Sequence, residues 1–209
     1  GQRPTALYIP RFRNWGNDKR DFLRGYGYQG GAFRMDWKRG IGADGFGVDF
    51  KNDLFSLGKW SMSFGGFGEV LPNPENRMYL DASKKDQWGV PMIVFDASFG
   101  ENEILMRADM KLAAMEMLDA AGFKNVVGHN RQDVHLGLGI HEMGTARMGR
   151  DVKTSVLNKY NQVHDCKNVF VTDGAAMVSS SCVNPSITYM ALTARAADFA
   201  VSELKKQNL

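Results

Sequence analysis

A chain of 209 residues, 44% apolar and 23% charged, is long enough to bury one full-sized core. Its net charge of +3 comes from interspersed acids and bases, so no Lys/Arg run marks a nucleic-acid partner and no basic amphipathic segment marks a membrane surface. No apolar stretch reaches transmembrane length, and no signal peptide is present. Gly1-Gln2-Arg3-Pro4 opens in mid-pattern, so any targeting segment is expected to be lost upstream and the compartment stays unassigned.

Residues 5–70 read as short strands broken by glycine. The runs 6–10, 31–37, 45–50 and 60–64 are aromatic or β-branched with partial alternation. A turn cluster over 71–76 leads into a strand at 77–80. A helix is predicted over 103–121, with Asn102 as its cap, Glu103 in the first turn and Gly122 as its stop. Its expected buried stripe is Ile104, Leu105, Ala108, Leu112, Met115 and Leu118. Residues 133–149 return to strand and turn, and 168–172 is a strand bounded by Asp173-Gly174. The last helix starts with Asn184 as cap and Pro185 at the first helical position. It carries Ile187, Met190, Ala191, Ala194, Val201 and Leu204 at helical spacing. Cys166 and Cys182 form no CxxC and read as two buried thiols.

Several local patterns carry no chemistry. Gly25, Gly27 and Gly30 match G-x-G-x-x-G, but a buried strand before and a helix after are both missing, so a glycine-rich strand pair is the better account. His129, His135 and His164 follow no metal-ligand spacing, and no metal site is expected. Ser179-Ser180-Ser181 lacks the nucleophile elbow.

Two dense patterns remain. His141 is followed by Gly144-Thr145-Ala146-Arg147-Met148-Gly149, and Asn184 by Pro185-Ser186-Ile187-Thr188, with a strand and the Asp173-Gly174 turn between them. Oxidising an alcohol removes a hydroxyl proton and a hydride from one carbinol; a cofactor must take the hydride, and the protein supplies a base and a second polar group. Neutral imidazole suits the base, and a carboxamide suits the second group because it donates or accepts without charge.

In this order the patterns resemble the C-terminal end of the glucose-methanol-choline (GMC) flavoprotein oxidoreductases, where a His within H-x-x-G-T-x-R-M-G and an Asn before Pro face the flavin. The resemblance is strongest over residues 133–201. The run 22–31 is similar to the sugar-oxidising branch, near gluconate 2-dehydrogenase flavoproteins and glucoside 3-dehydrogenases. Asn at 184 is similar to pyranose oxidase.

The resemblance implies FAD as cofactor and oxidation of a CH–OH group of a sugar or polyol by hydride transfer to flavin N5. His141 would act as base with Asn184 beside it. Asp173 would meet the ribityl hydroxyls, Gly174 would allow close backbone approach, and the helix start at Pro185 and Ser186 would face the flavin's pyrimidine edge.

The fold expected is α+β. Residues 1–164 would be a substrate domain of antiparallel sheet with helices on one face. Residues 165–209 would be a strand-turn-helix that completes an FAD-binding domain absent from this chain. The N-terminal FAD-binding half of the same protein is then the expected partner, an electron-acceptor subunit is an optional one, and nucleic acid is not. Oxidase and dehydrogenase stay undistinguished. A reading from another class is a non-catalytic carbohydrate-binding module whose Tyr26, Tyr28, Trp37 and Trp60 stack on sugars.

Overall fold

The computed structural model describes residues 6–130 and 135–209. Its first sheet is antiparallel in the order β1 (Leu7–Ile9), β2 (Tyr26–Arg34), β3 (Trp60–Gly68). The register pairs Tyr26 with Gly68, Gln29 with Gly65 and Arg34 with Trp60. The G-x-G-x-x-G run therefore lies in a strand paired on both edges. Its glycines serve packing; on the partner strand, a Cβ at Gly66 would run into the Met110 thioether of the helix above.

That helix, α2 (Glu101–Ala120), covers one face of the sheet. Side chains alternate along β2, so Tyr26 and Tyr28 point together toward α2 while Gln29 points to the opposite face. Tyr26 and Tyr28 are fully buried among Phe22, Met106 and Ala113, with Ile9, Phe12, Phe64, Met110 and Met117 around them. Both phenols anchor on the helix: the Tyr28 hydroxyl donates to the Met110 carbonyl at 2.5 Å, and the Tyr26 hydroxyl donates to the Asp109 carboxylate. Arg13 Nε also donates to Asp109, at 2.9 Å. Burial and the nearby Asp109 push the Tyr26 hydroxyl up to about 12, so it stays a donor.

These anchors rotate α2 away from the predicted stripe. Met106, Met110, Ala113 and Met117 face the sheet, while Ile104, Leu105 and Leu112 are exposed. The cap differs too. Gly100 holds the N-cap position, and the buried Glu103 carboxylate accepts from the amides of Gly100 at 2.9 Å and Leu71 at 3.0 Å. Asn102 is engaged elsewhere, accepting from the Leu23 amide at 2.6 Å.

Between β2 and β3 the run 45–50, expected as a strand, begins a helix, α1 (Gly47–Phe55). Six alternating residues do not distinguish strand from helix, and Gly47 breaks the extended run with φ +86°. The predicted strand at 31–37 is the second half of β2 and stops at Arg34. A separate hairpin pairs β4 (Arg77–Lys85) with β5 (Pro91–Asp96); the Asp86 carboxylate shapes its turn by accepting from the Trp88 and Val90 amides at 2.9 Å.

In the C-terminal third, residues 133 and 134 lie outside the described residues. Residues 135–149 form turns, with a bridge from Met148 to Leu157 in place of a regular strand. A hairpin of β6 (Gln162–Val163) and β7 (Cys166–Phe170) follows, and the expected 164/165 division falls between its two strands. Cys166 opens β7 at the tight turn and is exposed, so only Cys182 is buried as expected. The chain ends in α3 (Ser186–Lys205), whose predicted apolar positions Ile187, Met190, Val201 and Leu204 face outward.

The antiparallel pairings and helices bear out an α+β fold. The aromatic set of the carbohydrate-module reading is divided: Tyr26 and Tyr28 belong to the core and offer no ring face to a sugar, while Trp37 and Trp60 are exposed.

Candidate active site

Three segments meet beneath α3. After β7, Asp173 accepts from the Ala175 amide at 2.9 Å and starts one turn of 3-10 helix, Gly174–Ala176. The carbonyls of Ala175 and Ala176 accept from the amides of Ala146 and Met148 at 3.0 and 2.9 Å. The Thr145–Gly149 motif is thus zipped to the Asp-Gly turn. Glycine suits the turn for a steric reason: a Cβ at Gly174 would lie 3.0 Å from Met143 Sδ, 3.1 Å from the Tyr189 hydroxyl and 3.2 Å from the Glu142 carbonyl.

The same zipper sets the loop that carries His141. Ile140 takes a left-handed conformation with φ +55°, which brings its carbonyl 2.6 Å from His141 Nδ1. A carbonyl only accepts, so Nδ1 carries a proton and Nε2 is the nitrogen left for chemistry. Nε2 lies 3.0 Å from Asn184 Oδ1, across 43 residues of sequence.

Asn184 does not cap α3 with its side chain. Pro185 occupies the N-cap position, and its carbonyl accepts from the Thr188 and Tyr189 amides at 3.0 and 3.1 Å. The Asn184 amide instead reaches from His141 to Gln29 of β2, with Nδ2 donating to Gln29 Oε1 at 3.5 Å. Sequence reasoning missed Gln29 because it sits inside the glycine-rich run; the available signal was its phase, opposite to Tyr26 and Tyr28. Tyr189, wedged between Met143 and Gly174, was missed as well.

The His141 pKa is raised above its ordinary value, first by the Asn184 carboxamide, then by the Ile140 carbonyl and least by the Glu142 carboxylate, with burial opposing. Ring and carboxamide both reach solvent. Arg147 donates to the Gly144 carbonyl at 3.5 Å and Met148 packs beside Arg195, so both serve the loop's structure.

An imidazole and a carboxamide are held together where a helix starts, on the face of an antiparallel sheet opposite its covering helix. The chain belongs to the GMC oxidoreductase family, which it matches over residues 72–193. It is similar to the fructose dehydrogenase large subunit of Gluconobacter japonicus, 33% identical over 66% of this chain and 25% of that protein. It is also similar to 2-methyl-1,2-propanediol dehydrogenase of Mycolicibacterium austroafricanum, 36% identical over 64% and 24%. The gluconate 2-dehydrogenase flavoprotein of Pantoea cypripedii is 27% identical over 73% and 26%. The chain spans about a quarter of the length of these curated relatives.

The full-length family implies FAD. The residues present fit the polar edge of a flavin: the first amides of α3, at Ser186 and Ile187, have no partner within the helix and lie at its positive end. Asp173 adds an exposed carboxylate with one oxygen already held by Ala175. Among the described residues no strand–glycine loop–helix unit is present for the adenosine diphosphate end.

Proposed function

We propose that this chain is the substrate-binding, catalytic-residue-bearing part of an FAD-dependent enzyme that oxidises a CH–OH group of a sugar or polyol by hydride transfer to flavin N5. The observation that carries the reading is the 3.0 Å approach of His141 Nε2 to Asn184 Oδ1. A hydroxyl oxygen about 2.8 Å from both atoms closes a triangle on that base, within hydrogen-bond reach of each. A substrate hydroxyl placed there donates its one proton to Nε2 and lies beside Asn184 without either group moving.

In this reading the neutral ring, with Nδ1–H held by the Ile140 carbonyl, takes the hydroxyl proton at Nε2. The new Nε2–H then donates to Asn184 Oδ1, which stabilises the imidazolium. FAD, when bound, supplies the hydride acceptor. Ser186 and its neighbouring amide would lie against the flavin edge that gains negative charge, beside the rigid turn at Pro185. Asp173 would accept from ribityl hydroxyls, and Gly174 would keep the turn thin.

A sugar or polyol substrate is supported by the relatives named for fructose, gluconate and propanediol. We assign residues 1–164 to a substrate domain and 165–209 to an FAD-binding domain completed by the N-terminal half of the same protein. The outward apolar face of α3, with Ile187 and Met190 exposed, supports a further domain against it. One relative is named a large subunit, which supports an electron-acceptor subunit as an additional partner.

The test is His141→Ala in the full-length protein at matched flavin occupancy. Turnover should fall by about 10²–10⁴, the contribution of a positioned general base. Undiminished turnover removes His141 from the mechanism.

A further inference from the structure

Gln29 lies 155 residues before Asn184, outside the family-matched segment 72–193. It reaches the His141–Asn184 pair from the sheet. Its place on β2 is firmly set: the backbone pairs with Tyr8 on one side and Gly65 on the other. The alternation that buries Tyr28 against α2 turns Gln29 toward Asn184.

A carboxamide has two nearly isosteric ends, one accepting and one donating. Which end of Asn184 faces His141 decides what that ring can do. With Oδ1 toward Nε2, a ring proton on Nε2 is bonded and the imidazolium is stabilised. With Nδ2 toward Nε2, the unprotonated nitrogen is bonded and the imidazolium is opposed. Asn184 by itself would turn Nδ2 to an unprotonated Nε2 and Oδ1 to a protonated one, so a third group is needed to hold one end in place.

We propose that Gln29 is a positioning residue: by accepting from Asn184 Nδ2, its carbonyl oxygen turns Asn184 Oδ1 toward His141 Nε2 and so strengthens His141 as a base. The chain of contacts is Gln29 Oε1 to Asn184 Nδ2 at 3.5 Å, Asn184 Oδ1 to His141 Nε2 at 3.0 Å, and His141 Nδ1 to the Ile140 carbonyl at 2.6 Å. At the far end, a carbonyl that only accepts keeps Nδ1 protonated, so the second ring proton must enter or leave at Nε2. The proposal deepens the base assignment above and rests on it for its catalytic meaning. The orienting effect itself is a property of three side chains and can be read without turnover.

Among the described residues, the ionisable groups that act on the pair are few. Glu142 belongs to the His141 loop, Asp173 to the Asp-Gly turn, and Tyr189 of α3 lies near both. None of the three hydrogen-bonds to Gln29 or Asn184. Substitution at 29 therefore leaves their charges in place, and an effect on His141 must pass through Asn184.

The experiment is a histidine-selective NMR titration of the 209-residue protein, with the His141 resonance among four histidines assigned by its loss in His141→Gln. Gln29→Leu should lower the His141 midpoint by about 0.4 to 1 pH unit, the range set by one ordinary hydrogen bond. Gln29→Asn, which keeps the amide but withdraws it by one methylene, should do the same and serves if leucine disturbs the sheet. In an Asn184→Ala background the substitution at 29 should move the midpoint no further, because the cycle removes the intermediary. An unmoved midpoint in both Gln29 variants overturns the proposal. So does a shift that persists without Asn184. If the coupling holds while His141→Ala leaves turnover of the full-length enzyme intact, the orienting role stands and the base assignment fails.

Discussion

Replacing Gly174 with alanine tests whether the site is one packed unit. The added methyl would meet Met143 Sδ at 3.0 Å, the Tyr189 hydroxyl at 3.1 Å and the Glu142 carbonyl at 3.2 Å. The first two are ends of side chains and can swing; the third is backbone and adjoins His141. Relief of about 0.3 Å must therefore come partly from the His141 loop. The stability cost sits at the low end for overpacking, about 1 kcal/mol, which in a chain of this size lowers the melting temperature by about 2–4 °C. A misplacement of 1 Å at a reacting group lowers rate by about 10²-fold, so a third of that displacement gives roughly a fourfold loss of kcat. Differential scanning calorimetry of the chain and turnover of the full-length enzyme measure the two effects. Gly139→Ala is the control, since its nearest neighbour is the Glu142 carboxylate at 3.5 Å, an ordinary contact. Equal behaviour of the two variants in both assays would refute the claim that the Asp-Gly turn sets the position of His141.

The acid limb of kcat/KM should have its midpoint above the ordinary histidine value of about 6.5, because Asn184 and the Ile140 carbonyl raise the His141 pKa and the base works only when deprotonated. Asn184→Ala should move that limb to lower pH; a limb that stays in place would mean another group titrates. Tyr28→Phe removes the donor to the Met110 carbonyl and should destabilise the chain by about 1 kcal/mol in urea unfolding, with an unchanged m-value. The 209-residue chain should leave gel filtration without a flavin absorption band, since its described residues hold no unit for the adenosine diphosphate end. A yellow protein would place that affinity in this chain.

Local sequence was enough wherever a short segment decides its own conformation. The start and stop of α2 and the start of α3 to within two residues, the strand at 60–64, and the Asp173-Gly174 turn were legible because caps, glycines and periodicity act within a few residues. Even there, local preference yielded where a partner distant in sequence claimed the side chain. Asn102 and Asn184 are both good caps by composition, yet Leu23 takes one and His141 the other. The buried face of α2 was likewise set by Tyr26 and Tyr28 reaching across from β2, which no periodicity within 101–120 could reveal. Motif order pointed to His141 and Asn184 as members of one site, but spacing along a chain carries no distance. Their 3.0 Å approach exists because β7 returns the chain to the 140s loop and the turn at Ala175 and Ala176 is bonded to Ala146 and Met148. The phase of Gln29 along its strand was legible in the sequence, but its partner was not. Its contact with Asn184 comes from the alternation of a strand 155 residues away, brought against the site by the folding of the whole sheet.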